Sequence, residues 1–189
     1  MIDVALRFLV AEVNAYLLAR TGSSFGEAEL SRPVDDNGRW AVREDHLGVA
    51  LVNIEEERVL KSQGRESTYV EGRQVVVEPD LKVNLHVLFA ANFKQYDQAL
   101  RHISHVLTLF QARPAFAPDR SPGLDPRIEQ LTLELLSLSY EQLNQMWAFI
   151  GGKQLPSVVY RVRLISLHDA EPAAIQPPIT TIATTVRGR

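Results

Sequence analysis

Residues 81–111 constrain the fold more than any other part of this sequence. The stretch opens with apolar residues at every second position, which predicts a strand with one buried face. The apolar spacing then changes to three and four, which predicts an amphipathic helix over residues 93–111. The alternating positions are Leu81, Val83, Leu85, Val87 and Phe89, and the helical stripe is Tyr96, Ala99, Leu100, Ile103, Val106, Leu107 and Phe110. We expect the stripe to pack on that face of the strand, with Asn92 as the helix cap.

The rest of the chain predicts further strands and helices. Residues 2–20 have helical apolar spacing, and Gly22 stands where a C-terminal cap is expected. Residues 21–46 are polar and predict a long loop, with a loop that contains a short hairpin as the alternative. A capping box at Ser139–Gln142 opens another helix, which Gly151 and Gly152 end. Strands are expected at residues 47–54, 67–70, 74–77 and 157–167, and less clearly at 127–136. The sequence therefore predicts an α+β domain over residues 1–168, a mainly antiparallel sheet with two or three helices packed on it, followed by an extended C-terminal arm at 169–189.

Composition and motifs give no support to an enzyme. The chain has no cysteine, which excludes thiolate nucleophiles and thiolate metal sites. A net charge of −3 gives no reason to expect binding to nucleic acid, and no apolar run is long enough to span a membrane. There is no phosphate-binding loop, dinucleotide-binding glycine motif or nucleophile elbow. We therefore expect no catalytic residues, no cofactor and no bound metal.

The histidines have ordinary interpretations. His102 and His105 lie three residues apart on the predicted helix, a spacing that can bring two imidazoles together. A metal site needs at least a third ligand, and the sequence nearby offers none. We expect both rings on the solvated flank of the helix. His86 shares the polar face of its strand with Lys82 and Asn84, which favours a surface or an interface.

Several residues are candidates for contact with a partner. Trp40 stands in the polar loop, so its ring either folds back onto the core or waits for a partner, and the sequence leaves both open. The acidic triplet Glu55, Glu56 and Glu57 is expected to be a solvated strand end, with a charged patch for a partner as the alternative. Phe116, in the proline-rich loop 114–126, is a further interface candidate.

The C-terminal arm combines β-prone and basic residues. Ile175, Ile179 and Ile182 are spaced through a threonine-rich run, and Arg187 and Arg189 follow. Such a segment can add a strand to the sheet edge of another subunit. The alternative is a frayed end.

Two segments resemble the tail-terminator, or cap, proteins of phage-tail-like extracellular contractile injection systems. They read VNLHVLFAANFKQYDQALRHISHVLTLFQARPAF and LTLELLSLSYEQLNQMWAFIGGKQLPSVVYRVRLI. The shared features are Asn84-Leu85, Asn92-Phe93, Tyr96, Phe110-Gln111, Leu138-Ser139, Leu143-Asn144, Trp147, Gly151-Gly152 and the strand that begins at Pro156. The resemblance covers roughly residues 1–167.

This resemblance implies a structural role. Proteins of this family form a six-fold ring at the end of the inner tube and contractile sheath, stop polymerisation and link the two. It implies a homohexamer whose partners are sheath and inner tube proteins, assembled in the cytoplasm within a particle that is released or retained. Two other classes stay open: a small adaptor that binds a peptide at its sheet edge, and an enzyme with an unrecognised site.

Overall fold

The structure is a computed structural model that describes residues 1–57, 66–70, 73–77, 81–167 and 174–176. Within these residues the chain forms three helices and nine strands. The helices are α1 (Ile2–Thr21), α2 (Tyr96–Ala112) and α3 (Tyr140–Ile150). The strands are β1 (Ala28–Leu30), β2 (His46–Glu56), β3 (Glu66–Val70), β4 (Arg73–Val77), β5 (Leu81–Asn92), β6 (Ala115–Phe116), β7 (Gln130–Leu135), β8 (Ser157–Leu167) and β9 (Ala174–Gln176). The predicted α+β domain with a mainly antiparallel sheet is confirmed.

A six-stranded sheet forms the centre of the domain, in the order β1-β2-β5-β8-β7-β6. Every neighbouring pair is antiparallel except β1 and β2, which are parallel. Strands β3, β4 and β9 form a second, three-stranded sheet, in which the strands predicted at 67–70 and 74–77 form the antiparallel pair β3-β4. The register of the long central pair β2-β5 determines which side chains of the two strands lie next to each other.

Strand β1 lies in a region that the sequence predicted to be loop. The side-chain amide of Asn14 on α1 holds it: Asn14 Nδ2 donates to Ala28 O at 3.0 Å, and Ala28 N donates to Asn14 Oδ1 at 2.7 Å. These bonds satisfy one side of a very short strand, while β2 satisfies the other. A three-residue strand supported by a distant amide has no local sequence signal.

The main core lies between one face of this sheet and the helices α1 and α2. Phe110 of α2 sits 5.4 Å from Phe89 on β5 and 5.0 Å from Tyr160 on β8, measured between ring centroids. Burial raises the pKa of Tyr160 to about 12. The predicted packing of the α2 stripe on the Val83–Phe89 face is therefore confirmed around Phe110.

Helix α3 covers part of the opposite face. Trp147 is its one buried residue, and it packs with Leu88, Ala90 and Val159 in a second, smaller core. The predicted capping box is present, with Gln142 N donating to Ser139 Oγ at 3.2 Å and Ser139 N donating to Gln142 Oε1 at 2.9 Å. The sheet therefore carries helices on both faces.

The orientation of α2 differs from the prediction at its N-terminal end. Tyr96 and Leu100 are 67% and 45% exposed, whereas His102 is buried, with 2% of its surface exposed. The ring of His102 stacks on Phe93 at 4.4 Å, and its Nδ1 donates to Gln98 O at 2.8 Å. Asn92 does not cap the helix: it ends β5, and its amide donates to Val42 O at 2.8 Å. The expectation of a solvated His102 is thus wrong, because an aromatic neighbour and a carbonyl group accommodate its ring.

Candidate functional site

Beyond α3, the same face of the sheet carries a band of polar side chains, which we call the polar face. Strand register brings its members together, because residues opposite each other on neighbouring strands have adjacent side chains. His86 on β5 lies opposite Asn53 on β2 and Arg161 on β8, and Arg161 lies opposite Glu134 on β7. The polar face comprises Asn53, Glu55, Glu57, Asn84, His86, Glu134, Arg161 and Arg163.

Ion pairs cross the polar face. Glu57 is buried, accepts a hydrogen bond from Asn84 Nδ2 at 3.0 Å and lies 3.4 Å from Arg163 Nε through the same carboxylate oxygen. Glu55 Oε2 lies 3.4 Å from His86 Nε2. Arg161 Nη1 donates to Glu134 Oε2 at 3.3 Å. The acidic and basic groups therefore largely neutralise one another.

Some hydrogen-bonding capacity on the polar face is unused. Among the described residues, the buried atoms Asn84 Oδ1, His86 Nε2, Arg161 Nε and Arg163 Nε have no hydrogen-bond partner. His86 Nε2 and Arg163 Nε each lie 3.4 Å from a carboxylate oxygen, but their geometry does not make a hydrogen bond. Buried polar atoms without partners are costly, so hydrogen bonding on the polar face is incomplete among the described residues.

A cavity of about 700 Å³ opens between α3 and the polar face. We call it the α3 pocket. Its apolar wall is formed by Val52, Leu136, Leu138, Met146, Phe149 and Val159. His86 and Arg161 contribute the charged or titratable part of the lining, and the amides of Gln142 and Gln145 stand beside them. Apolar walls with a few polar groups are typical of binding sites.

The interface candidates occupy different environments. Trp40 folds back onto the second core, so the open question about its ring is answered in favour of the core. Glu55 and Glu56 are exposed, but Glu57 is buried, which corrects the expectation of a wholly solvated triplet. Phe116 is also corrected: it lies in the main core, 5.3 Å from Phe8 between ring centroids, because β6 turns its ring inward.

Of the candidates in the C-terminal arm, the structure describes Ile175. Residue Ile175 belongs to β9, which pairs with β4. Ile179, Ile182, Arg187 and Arg189 lie outside the described residues.

The histidine pair of α2 has no metal-binding surroundings in the described part of the chain. The rings of His102 and His105 are nearly perpendicular, with centroids 6.3 Å apart. Within the described ranges, no group of three or more potential ligands is close enough to hold an ion. Burial, followed by the charge of His102, Arg101 and Arg20, lowers the pKa of His105. None of the described helices combines the length and apolar character of a membrane span.

Solved structures share this fold. The sheath/tube terminator of the extracellular contractile injection system PVC, in its extended state, matches with a TM-score of 0.57 and 19% identity, over 97% of this chain and 64% of that one. The tube-terminating cap of the anti-feeding prophage matches with a TM-score of 0.64 and 18% identity, over 98% of this chain and 61% of that one. This chain thus spans less than two thirds of either protein and has the fold of terminator caps.

The family follows from the sequence match. The family described as Pvc16 N-terminal domain matches residues 5–181, and the chain belongs to it. A comparison with curated proteins gives no match.

Proposed function

We propose that this chain is a cap that terminates the inner tube and sheath of a phage-tail-like contractile injection system. The observation that carries the proposal is the family match over residues 5–181. The shared fold supports it, since the two similar structures are a sheath/tube terminator and a tube-terminating cap. The function is structural rather than enzymatic.

The cap acts as a ring of identical subunits, with six copies matching the six-fold cylinders implied by the resemblance. A ring requires heterologous contacts, in which one surface of a subunit meets a different surface of the next. One side of the ring contacts the last layer of tube and sheath, and the other offers no template for a further layer. Assembly takes place in the cytoplasm before the particle is released or retained.

The C-terminal arm contributes to attachment in this proposal. Its β-prone and basic residues suit contact with a sheet edge and an acidic surface of a neighbouring subunit. The exposed carboxylates of Glu55 and Glu56 are candidates for that surface. Removing residues 177–189, which leaves β9 in place, should preserve the fold and lower the occupancy of the cap on particles.

Deleting the gene tests the cap function directly. Electron microscopy of particles from the deletion strain should show tubes and sheaths of irregular length, and the full chain supplied in trans should restore a uniform length. As a matched control, a Tyr140→Ala version should restore it equally, since this side chain is 93% exposed and lies outside the α3 pocket. A normal length distribution in the deletion strain would rule out the proposal.

A further inference from the structure

The α3 pocket has the composition of a protein-binding surface. Phe149 stands on its rim with 82% of its surface exposed, next to the flexible side chain of Met146. Arg161 lines the pocket and is 34% exposed. Aromatic residues, methionine and arginine are the residue types enriched where proteins meet. The ligand that fits is therefore an apolar side chain with an acidic group beside it.

The same chain presents such a combination on α2. Tyr96 and Leu100 are exposed one helical turn apart, although the apolar stripe of α2 includes both. Asp97 lies between them in the first turn, and its carboxylate has no hydrogen bond or ion pair with the described residues. We call Tyr96, Asp97 and Leu100 the α2 patch.

The α2 patch combines features that Leu135 and Leu30, two other exposed apolar residues, lack. Leu135 stands beside Glu134, which is already paired with Arg161, and Leu30 stands beside Glu29, which is paired with Arg43. In the α2 patch, by contrast, two apolar side chains accompany a carboxylate that has no partner in the described part of the chain. It therefore complements the α3 pocket in both apolar character and charge.

We propose that the α2 patch of one copy docks into the α3 pocket of a second copy, with Asp97 beside Arg161. This inference rests on the proposed function, because the contact is placed within a ring of identical subunits. The two surfaces lie on opposite faces of the sheet, so the contact is heterologous, as a ring requires. Tyr96 and Leu100 contact the wall formed by Met146 and Phe149.

The ion pair within the subunit is compatible with this contact. Glu134 engages Nη1 of Arg161, whereas Nε is buried and has no hydrogen-bond partner in the described residues. The guanidinium group has five N–H donors in a planar fork, so one arginine can serve two carboxylates. The Arg161 side chain is 34% exposed, so a carboxylate from the next subunit binds the outer N–H groups of the guanidinium and not the buried Nε.

Chemical crosslinking tests the contact, because the chain has no native cysteine. The reporter is the full chain with Arg101→Cys, an exposed position beside the α2 patch, and Gln145→Cys, treated with a short bismaleimide both as purified protein at high concentration and within particles. We expect a ladder of covalently linked subunits in at least one sample. The matched control pairs Gln145→Cys with Thr108→Cys, which lies on α2 about 10 Å further along the helix. The control should give no ladder.

Charge reversal in the reporter then tests the pairing of Asp97 with Arg161. Asp97→Lys or Arg161→Glu alone should reduce the crosslink yield by about tenfold or more, since like charges then meet at the interface. The two substitutions together should restore the yield. Circular dichroism and thermal melting confirm that each variant is folded.

Two results would overturn the inference: no ladder from the reporter in either sample, or a folded double reversal that fails to restore the yield. Neither depends on the outcome of the deletion experiment. Normal particle length without the gene would rule out the proposed cap function. The crosslinks of the purified chain would still show whether the α2 patch docks into the α3 pocket.

Discussion

Trp40 and Trp147 meet edge to face, with ring centroids 5.6 Å apart and ring planes at 81°. Trp147 comes from α3. Trp40 comes from the segment between β1 and β2, where it forms an antiparallel bridge with Val34. A Cβ atom on Gly152 would lie 2.7 Å from the Trp40 ring, so the glycine makes room for this contact. The tryptophan pair therefore connects α3 and the loop, which are distant in sequence, in the second core.

Truncating either tryptophan should lower the stability of the domain, because this pair packs α3 onto the second core. Trp147→Ala removes a buried indole and should lower the free energy of unfolding by about 3–5 kcal/mol. Trp40→Ala should cost less because its ring is only partly buried. Urea denaturation of both single variants and the double variant should give a coupling energy of about 0.5–1.5 kcal/mol. Additive losses would mean that the two rings act independently.

Phe110 should be a major determinant of stability in the main core. Its ring contacts those of Phe89 and Tyr160, so Phe110→Ala leaves a cavity and should cost about 3–5 kcal/mol in urea denaturation. Leu18→Ala is the control, since this side chain is 55% exposed and its loss should change stability by no more than about 0.5 kcal/mol. Equal effects in the two variants would contradict the packing of α2 described above.

Gly26 should tolerate a side chain less well than Gly38. Both have a left-handed backbone, with φ of 78° and 72°, so alanine at either position incurs a similar strain of about 1–2 kcal/mol. A Cβ atom at Gly26 would also overlap the ring of His102, whereas none of the described atoms lies within 4 Å at Gly38. Gly26→Ala should therefore lower the melting temperature further than Gly38→Ala. Equal shifts would show that the His102 ring moves aside freely.

Local patterns in the sequence predicted the elements of the fold well. The period-two spacing of β5, the capping box of α3 and the left-handed glycines after α1 and α3 depend on neighbours in the chain, and the structure has each of them. Strand β1 was missed because its stability comes from Asn14, a residue of another element. The burial of His102 was missed for the same reason, since Phe93 and the carbonyl of Phe25 approach its ring only in the folded chain.

The polar face was only partly visible from sequence. Alternation in β8 showed that Arg161 and Arg163 share the side of the strand opposite Val162, but nothing local showed which side was covered. Their proximity to Glu134 and Glu57 depends on the β7-β8 and β5-β8 registers. Alternation limits a register to steps of two residues, and neither pair is joined by a short turn that would select one step. The α3 pocket was invisible for a further reason, because the position of α3 depends on the contact between Trp40 and Trp147.

The acidic triplet should divide into two kinds of residue. Glu57→Ala removes the acceptor of Asn84 Nδ2 and the carboxylate beside Arg163, so it should cost about 1–3 kcal/mol in urea denaturation. Glu55→Ala removes the carboxylate beside His86 and the acceptor of an exposed hydrogen bond from Asn53, and it should cost about 0–1 kcal/mol. Added salt should weaken the Glu55 contribution more, because exposed charges are screened and buried ones are not. Small and equal losses of unfolding free energy in the two variants would instead indicate that Glu57 is solvated like Glu55. Its carboxylate would then not stabilise Arg163.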